Sequence, residues 1–274
     1  MATRQEVFDY MKAIWNTTKE KMKADGYQYK TLEEAKDHYE IFECIYQVYS
    51  EEFTHSCRDY QLKAGSKATK MIGEPSCELE AFMPDKDKKP VYCLDAKNKS
   101  YGYYVIPYDR QTKEDSMKAC LKEMHLEDRE QISTCDFENT RKLKLAKLID
   151  DTNLNLKLAE DYFKEDCQRI KFIYGIHGGT SGKKAISEIY SYNIMLNVLL
   201  TSDIFCPVEG TEEEREFHHE PFRLFSDYLE RIGYDGILYQ SHLDPNGKCI
   251  VIFHPETMQV LPDTLSCHID VKNL

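Results

Sequence analysis

Phe225-Ser-Asp-Tyr-Leu-Glu-Arg-Ile-Gly-Tyr-Asp-Gly-Ile-Leu-Tyr-Gln-Ser-His242, followed by Asp244-Pro-Asn-Gly-Lys-Cys-Ile-Val-Ile-Phe253, is the most informative part of this chain. Phe222, Phe225, Leu229 and Ile232 recur at helical spacing. Gly233 falls where a helix C-terminus wants a residue free to take positive φ. Ile237-Leu238-Tyr239 reads as a short buried strand, Asp244-Pro-Asn-Gly247 as turn chemistry, and Cys249 to Phe253 as a return strand. This order sets Ser241 at the end of a strand, with Tyr239 two residues earlier on the same side.

Outward from that stretch, helices and strands mix without strict alternation, which favours α+β over a doubly wound sheet. Phe8, Met11, Trp15 and Met22 mark one face of a first helix ending near Gly26. Thr31-Leu-Glu-Glu34 is a capping-box pattern opening a second, with Tyr39, Phe42, Ile45, Tyr46 and Tyr49 on its apolar side. Residues from Cys57 to Lys99 are rich in Gly, Pro and charge and read as loop with short strands at best. Tyr101 to Tyr108 and Ile132 to Phe137 read as strands, and Thr112 caps a helix with Met117, Cys120, Leu121 and Met124 inward. Three divisions follow: residues 1–50 as an N-terminal helical extension, 51–262 as the main domain and 263–274 as a tail.

The 274 residues suffice for a full core, and 41% hydrophobic with 31% charged residues argues against disorder. There is no apolar run of about 18 residues for a membrane span and no apolar leader after Met1, so a cytoplasmic protein is expected. A formal net charge of −12 speaks against a broad nucleic-acid or anionic-membrane surface, but leaves room for a small anion held by one or two basic groups. The ten cysteines contain no Cys-x-x-Cys pair and several sit in apolar stripes. They read as reduced, mostly buried thiols, and their spacing points away from zinc.

The helix, the Gly233-Tyr-Asp-Gly-Ile-Leu-Tyr-Gln-Ser241 segment and the return strand ending in Phe253 resemble the C-terminal part of the RES domain family. The resemblance covers about 40 residues. It implies an ADP-ribosyltransferase-like fold, with a split mixed β-structure and surrounding helices. It implies an enzyme that takes NAD as substrate and cleaves its nicotinamide–ribose bond by hydrolysis or phosphorolysis. Such domains are the toxin half of toxin–antitoxin pairs, so an antitoxin-like partner is implied too. Two alternatives stay open: a degenerate RES-fold protein that binds a nucleotide or partner without turnover, and an ADP-ribosyltransferase acting on a macromolecular acceptor.

The resemblance assigns the family's Ser to Ser241 and its Glu to Glu123, in Lys118-Ala-Cys-Leu-Lys-Glu123 after Tyr104-Val-Ile-Pro-Tyr108. Glu123 lies about 110° from the centre of its helix's apolar stripe, a flank from which an acid can reach a cleft. A fixed carboxylate there would stabilise the positive charge that develops on the ribose; otherwise Glu123 is one solvated acid among 48 acidic residues. Arg58 matches the family's first Arg by position only, and as a surface Arg it needs no such role. The chain departs from the family between Met71 and Tyr104, where no Arg occurs and lysines stand instead. Lys does not fork a diphosphate as Arg does. Tyr108 and Tyr239 offer aromatic faces to nicotinamide or ribose, or serve as core.

Two further stretches are decoys. Gly175-Ile-His-Gly-Gly-Thr-Ser-Gly-Lys-Lys184 has neither the first glycine nor the terminal hydroxyl of a phosphate-binding Walker loop and reads as a glycine-rich connection. His218-His219-Glu220 lacks the one-turn spacing that aims two imidazoles at one metal, so no metal is expected.

Overall fold

The computed structural model describes residues 4–50, 59–83, 101–106, 113–148, 210–240 and 248–274. They divide into two compact units. One gathers the described residues of Met1–Asp59 and Leu148–Tyr228, the other those of Tyr60–Pro90, Asp95–Lys147 and Leu229–Leu274.

The first unit is helical: α1 (Arg4–Ala24), α2 (Leu32–Ala35), α3 (Glu40–Ser50) and most of α5 (Glu212–Arg231). The capping box at Thr31 forms as its sequence predicts: the Glu34 N–H donates to Thr31 Oγ1 at 3.2 Å, and Glu34 accepts from the Thr31 N–H at 3.3 Å. The helix it opens stops at Ala35 and a new one begins at Glu40, where a single helix is expected from the apolar stripe. The break aims Tyr39 at Asp25, to which its hydroxyl donates at 2.7 Å, and lays His38 against Tyr29 with ring centroids 4.3 Å apart. Trp15, 1% exposed, fills the centre, with ring centroids 5.0 Å from Phe222 and 6.4 Å from Phe42. The N-terminal helices therefore share their core with α5 rather than standing as a separate extension.

The second unit is built on one sheet. Its strands are β1 (Asp59–Leu62), β2 (Lys67–Ile72), β3 (Gly102–Ile106), β4 (Gln131–Asn139), β5 (Leu143–Leu148), β6 (Gly236–Gln240), β7 (Lys248–Ile252), β8 (Met258–Val260) and β9 (Ser266–Asp270). The order is β1-β5-β6-β7-β3-β2-β4-β8, with β9 also on β4. The pairs of β3 with β2 and β7, of β4 with β2, β8 and β9, and of β6 with β7 are antiparallel. All five residues of β3 are buried, which is why its sequence is continuously apolar rather than alternating. Helix α4 (Lys113–Glu123) packs on β2, β3 and β7 through a face that buries Met117, Ala119, Cys120 and Leu121. The architecture is α+β.

This sheet is bent sharply. β1 and β2 stand first and sixth in the order, and β5 and β4 second and seventh. Flat, each pair would lie ~24 Å apart at the ordinary strand spacing. Yet residues 63–66 alone join β1 to β2 and residues 140–142 alone join β4 to β5. Those links reach at most ~17 Å and ~14 Å. The chain must turn two corners, and Asn139 stands at both. Its buried side-chain amide donates to the carbonyls of Lys63 and Arg141, each at 2.8 Å, while the Gly65 N–H donates to its carbonyl at 2.9 Å.

Residues 57–99, read as loop with short strands at best, contain the short strands β1 and β2, and β2 is an inner strand of the sheet. Two expectations need correction. Residues 263–274 are not a tail: they supply β9, paired to β4. Not every cysteine is a reduced thiol, for Cys77 and Cys267, 190 residues apart, are disulfide-bonded with Cα atoms 5.5 Å apart. Both lie beside β4, a proximity that sequence distance cannot signal. Cys120, Cys135 and Cys249 are buried thiols, as expected.

Candidate functional site

The segment that resembles the RES domain is built as its local chemistry dictates. Helix α5 ends at Arg231; Gly233 takes φ +92°, its N–H donating to Glu230 O and that of Tyr234 to Leu229 O. Asp235 is fully engaged. Its Oδ1 accepts from Arg141 Nη2 at 2.6 Å and its Oδ2 from the Lys144 N–H at 2.8 Å. Its own N–H donates to Lys144 O at 2.7 Å, and the Phe253 N–H donates to its carbonyl at 2.9 Å. The carboxylate raises the Arg141 guanidinium above its ordinary value, chiefly through their hydrogen bond. A Cβ on Gly236 would lie 2.1 Å from Val251 O, closer than any side chain is allowed. Each of these residues thus has a backbone or packing reason to be where it is, so the stretch reports fold before chemistry.

Of the residues read as a site, Arg58, Tyr108 and Ser241 lie outside the described residues, as does the glycine-rich stretch from Gly175 to Lys184. Glu123 is the last residue of α4. Tyr239 is 4% exposed, in β6 opposite Cys249 of β7. Helix α4 packs on β2, β3 and β7, and β6 pairs with β7.

Register separates Tyr239 from another polar feature. Tyr104 pairs with Ile250, which pairs with Leu238, so Tyr104 and Leu238 share a face and Tyr239 points to the other. Tyr104 is 2% exposed, and among the described residues its hydroxyl has no hydrogen-bond partner; burial pushes its titration above the ordinary 10.0. The Lys70 ammonium lies 5.8 Å from its ring centroid and donates to Phe82 O at 2.7 Å. Lys70 sits in the stretch read as loop with short strands at best, where no local pattern singles it out.

His218, His219 and Glu220 lie inside α5. Buried Glu220 accepts from Arg223 Nε at 3.0 Å and Nη2 at 2.6 Å, and Arg223 Nη1 also reaches Asp227 at 2.9 Å. That triad is a structural clasp along one helix face. In the helical unit a cleft of about 300 Å³ is lined by Tyr10, Ile14, Thr18, Lys21, Tyr39 and Glu40. Two of its polar groups satisfy each other, Tyr10 donating to Glu40 at 3.2 Å, and neither Glu123 nor Tyr239 lines it. Among the described residues no helix is long and apolar enough to cross a membrane, and no three His, Cys, Asp or Glu gather as metal ligands. No family model matches this chain, and neither does any curated protein or solved structure.

Proposed function

We propose that this chain is an enzyme that binds NAD and cleaves its nicotinamide–ribose bond, by hydrolysis or phosphorolysis. The observation that supports this best is the unit running from α5 through Gly233 to β6 and β7, in which the residues that resemble the RES domain adopt the helix, turn and strands expected of that segment. The two sharp corners of the sheet are in keeping with a split, ADP-ribosyltransferase-like arrangement, which is part of the proposal. Glu123 acts as the electrostatic stabiliser of the ribose cation, through a charge interaction that strengthens as the bond breaks. Arg58 and Ser241 hold the dinucleotide, and Tyr108 or Tyr239 walls the nicotinamide ribose. In this reading the enzyme works in the cytoplasm, with an antitoxin-like protein as partner.

The test is direct. Purified protein incubated with NAD should release nicotinamide, and runs with and without phosphate should tell phosphorolysis from hydrolysis. Glu123→Gln should lower turnover more than ~100-fold while NAD binding persists, as for a group that acts mainly on the transition state. A second reading, a nucleotide-binding protein without turnover, is favoured by the absence of any Arg between Met71 and Tyr104. NAD binding without nicotinamide release in either condition would establish it, and absence of binding would refute both.

A further inference from the structure

The C-terminal strand lies at an edge of the sheet, paired among the described residues to β4 alone. β9 alternates exposed and half-buried residues and buries none. Its pairing with β4 is interrupted: Ile132 faces Ile269 and Thr134 faces Ser266, so Ser133 alone opposes both Cys267 and His268. His268 takes φ +56°, which bulges the strand at that point. The chain just before β9 is anchored independently. The Leu261 N–H donates to Asp136 O, and the Asp136 N–H donates to Thr264 Oγ1, each at 2.9 Å. Beyond Thr264 the ties among the described residues are the interrupted ladder, a 3.2 Å contact of His268 Nδ1 with Gln131 Oε1, a bond from the Val271 N–H to Glu130 O, and the disulfide. On the other side, the Ser76 N–H donates to buried Ser133 Oγ at 2.9 Å. That bond holds the exposed Cys77 beside the bulge whether or not its sulfur is bonded.

We infer that Cys77–Cys267 is a reversible, thiol-reducible clip that fastens β9 to the edge of β4. The exposed position of Cys77 leaves the bond open to a dithiol reductant. One reductant thiolate attacks Cys77 Sγ, and Cys267 leaves as a thiolate that takes up a proton. The reductant's second thiol then displaces Cys77, which leaves likewise. Two electrons pass to the protein's sulfurs and the reductant departs as a disulfide. Reduced, residues 266–274 leave the sheet and uncover β4 from Gln131 to Thr134, a newly exposed strand edge able to pair with another extended segment. Held near by Ser133, Cys77 is placed for the bond to re-form. The inference is independent of the NAD reading.

The experiment is hydrogen–deuterium exchange on the full chain with and without dithiothreitol, alongside alkylation of the denatured, unreduced protein. Cys77 and Cys267 should resist alkylation until reductant is added. Reduction should speed exchange in residues 266–274 by ~10-fold or more and leave β3 and β7 protected, as local rather than global opening does. Cys77→Ser should show the fast C-terminal exchange without reductant. Alkylation of both cysteines before reduction, unchanged exchange in residues 266–274 on reduction or in Cys77→Ser, or a rise spread over the whole sheet would each overturn the inference.

Discussion

At the scale of single residues, the positions that matter most are set by what they exclude. Gly236 is required because the carbonyl of Val251 occupies the space a side chain would need. Gly236→Ala should cost about 3 kcal/mol, since the obstacle is backbone and moves only if β6 parts from β7. Urea denaturation measures this, and a midpoint equal to that of the unsubstituted protein would contradict the packing. Tyr104 makes the opposite case. Its buried hydroxyl lacks a partner among the described residues, so Tyr104→Phe should be neutral or stabilising by about 1 kcal/mol at neutral pH. Titration gives a second readout. Burial raises the Tyr104 phenol above 10.0, and burial with the Asp25 hydrogen bond raises Tyr39 likewise. The folded protein keeps these protons after the unfolded chain has released them. Their stabilisation is therefore complete below about pH 10 and is lost as pH rises further. Melting temperatures should fall above that value, and less steeply in Tyr104→Phe; parallel curves for the two proteins would contradict the assignment.

At the scale of elements, α2 shows how local and tertiary demands divide. The reciprocal bonds of Thr31 and Glu34 start the helix, yet it runs only to Ala35 because Tyr39 is drawn to Asp25. Thr31→Ala should cost about 1 kcal/mol, through loss of the cap alone. Exchange of the amides from Leu32 to Tyr39 should rise accordingly; a loss well above that size would mean Thr31 supports more than the helix start. The strands divide along similar lines. β7 and β3 were legible because buried inner strands carry continuous apolar runs. β2, with two lysines in six residues, was not. Its place between β3 and β4 comes from pairing with partners distant in sequence, which no local pattern reports. The disulfide is illegible for the same reason.

At the scale of the sheet unit, the bend is the governing feature, and Asn139 holds it. One side-chain amide bridges a carbonyl from each corner link, and its backbone pairs with the first corner as well. Asn139→Ala strands two carbonyls at the points of sharpest curvature, and should destabilise the protein by about 2–4 kcal/mol. Chemical denaturation checks this, and a change below about 0.5 kcal/mol, as for an ordinary surface substitution, would show that the corners hold without it. Two residues of the proposed NAD site lie in this unit: Glu123 ends α4, which packs on β2, β3 and β7, and Tyr239 lies in β6, which pairs with β7.

By itself the amino-acid sequence determined what short-range physics controls: the capping box at Thr31, the stop at Gly233, the strands on either side of Asp244-Pro-Asn-Gly247 and the α+β class. Those features depend on backbone conformations and side-chain periodicities that a few adjacent residues dictate. Only the tertiary structure decided that Asp235 is a clasp between β5 and β6, that Tyr104 and Tyr239 face opposite ways, that residues 263–274 complete the sheet and that Cys77 meets Cys267. Each of these turns on which distant strands become neighbours. That choice is made by burial and hydrogen bonding over the whole sheet, and no single segment encodes it.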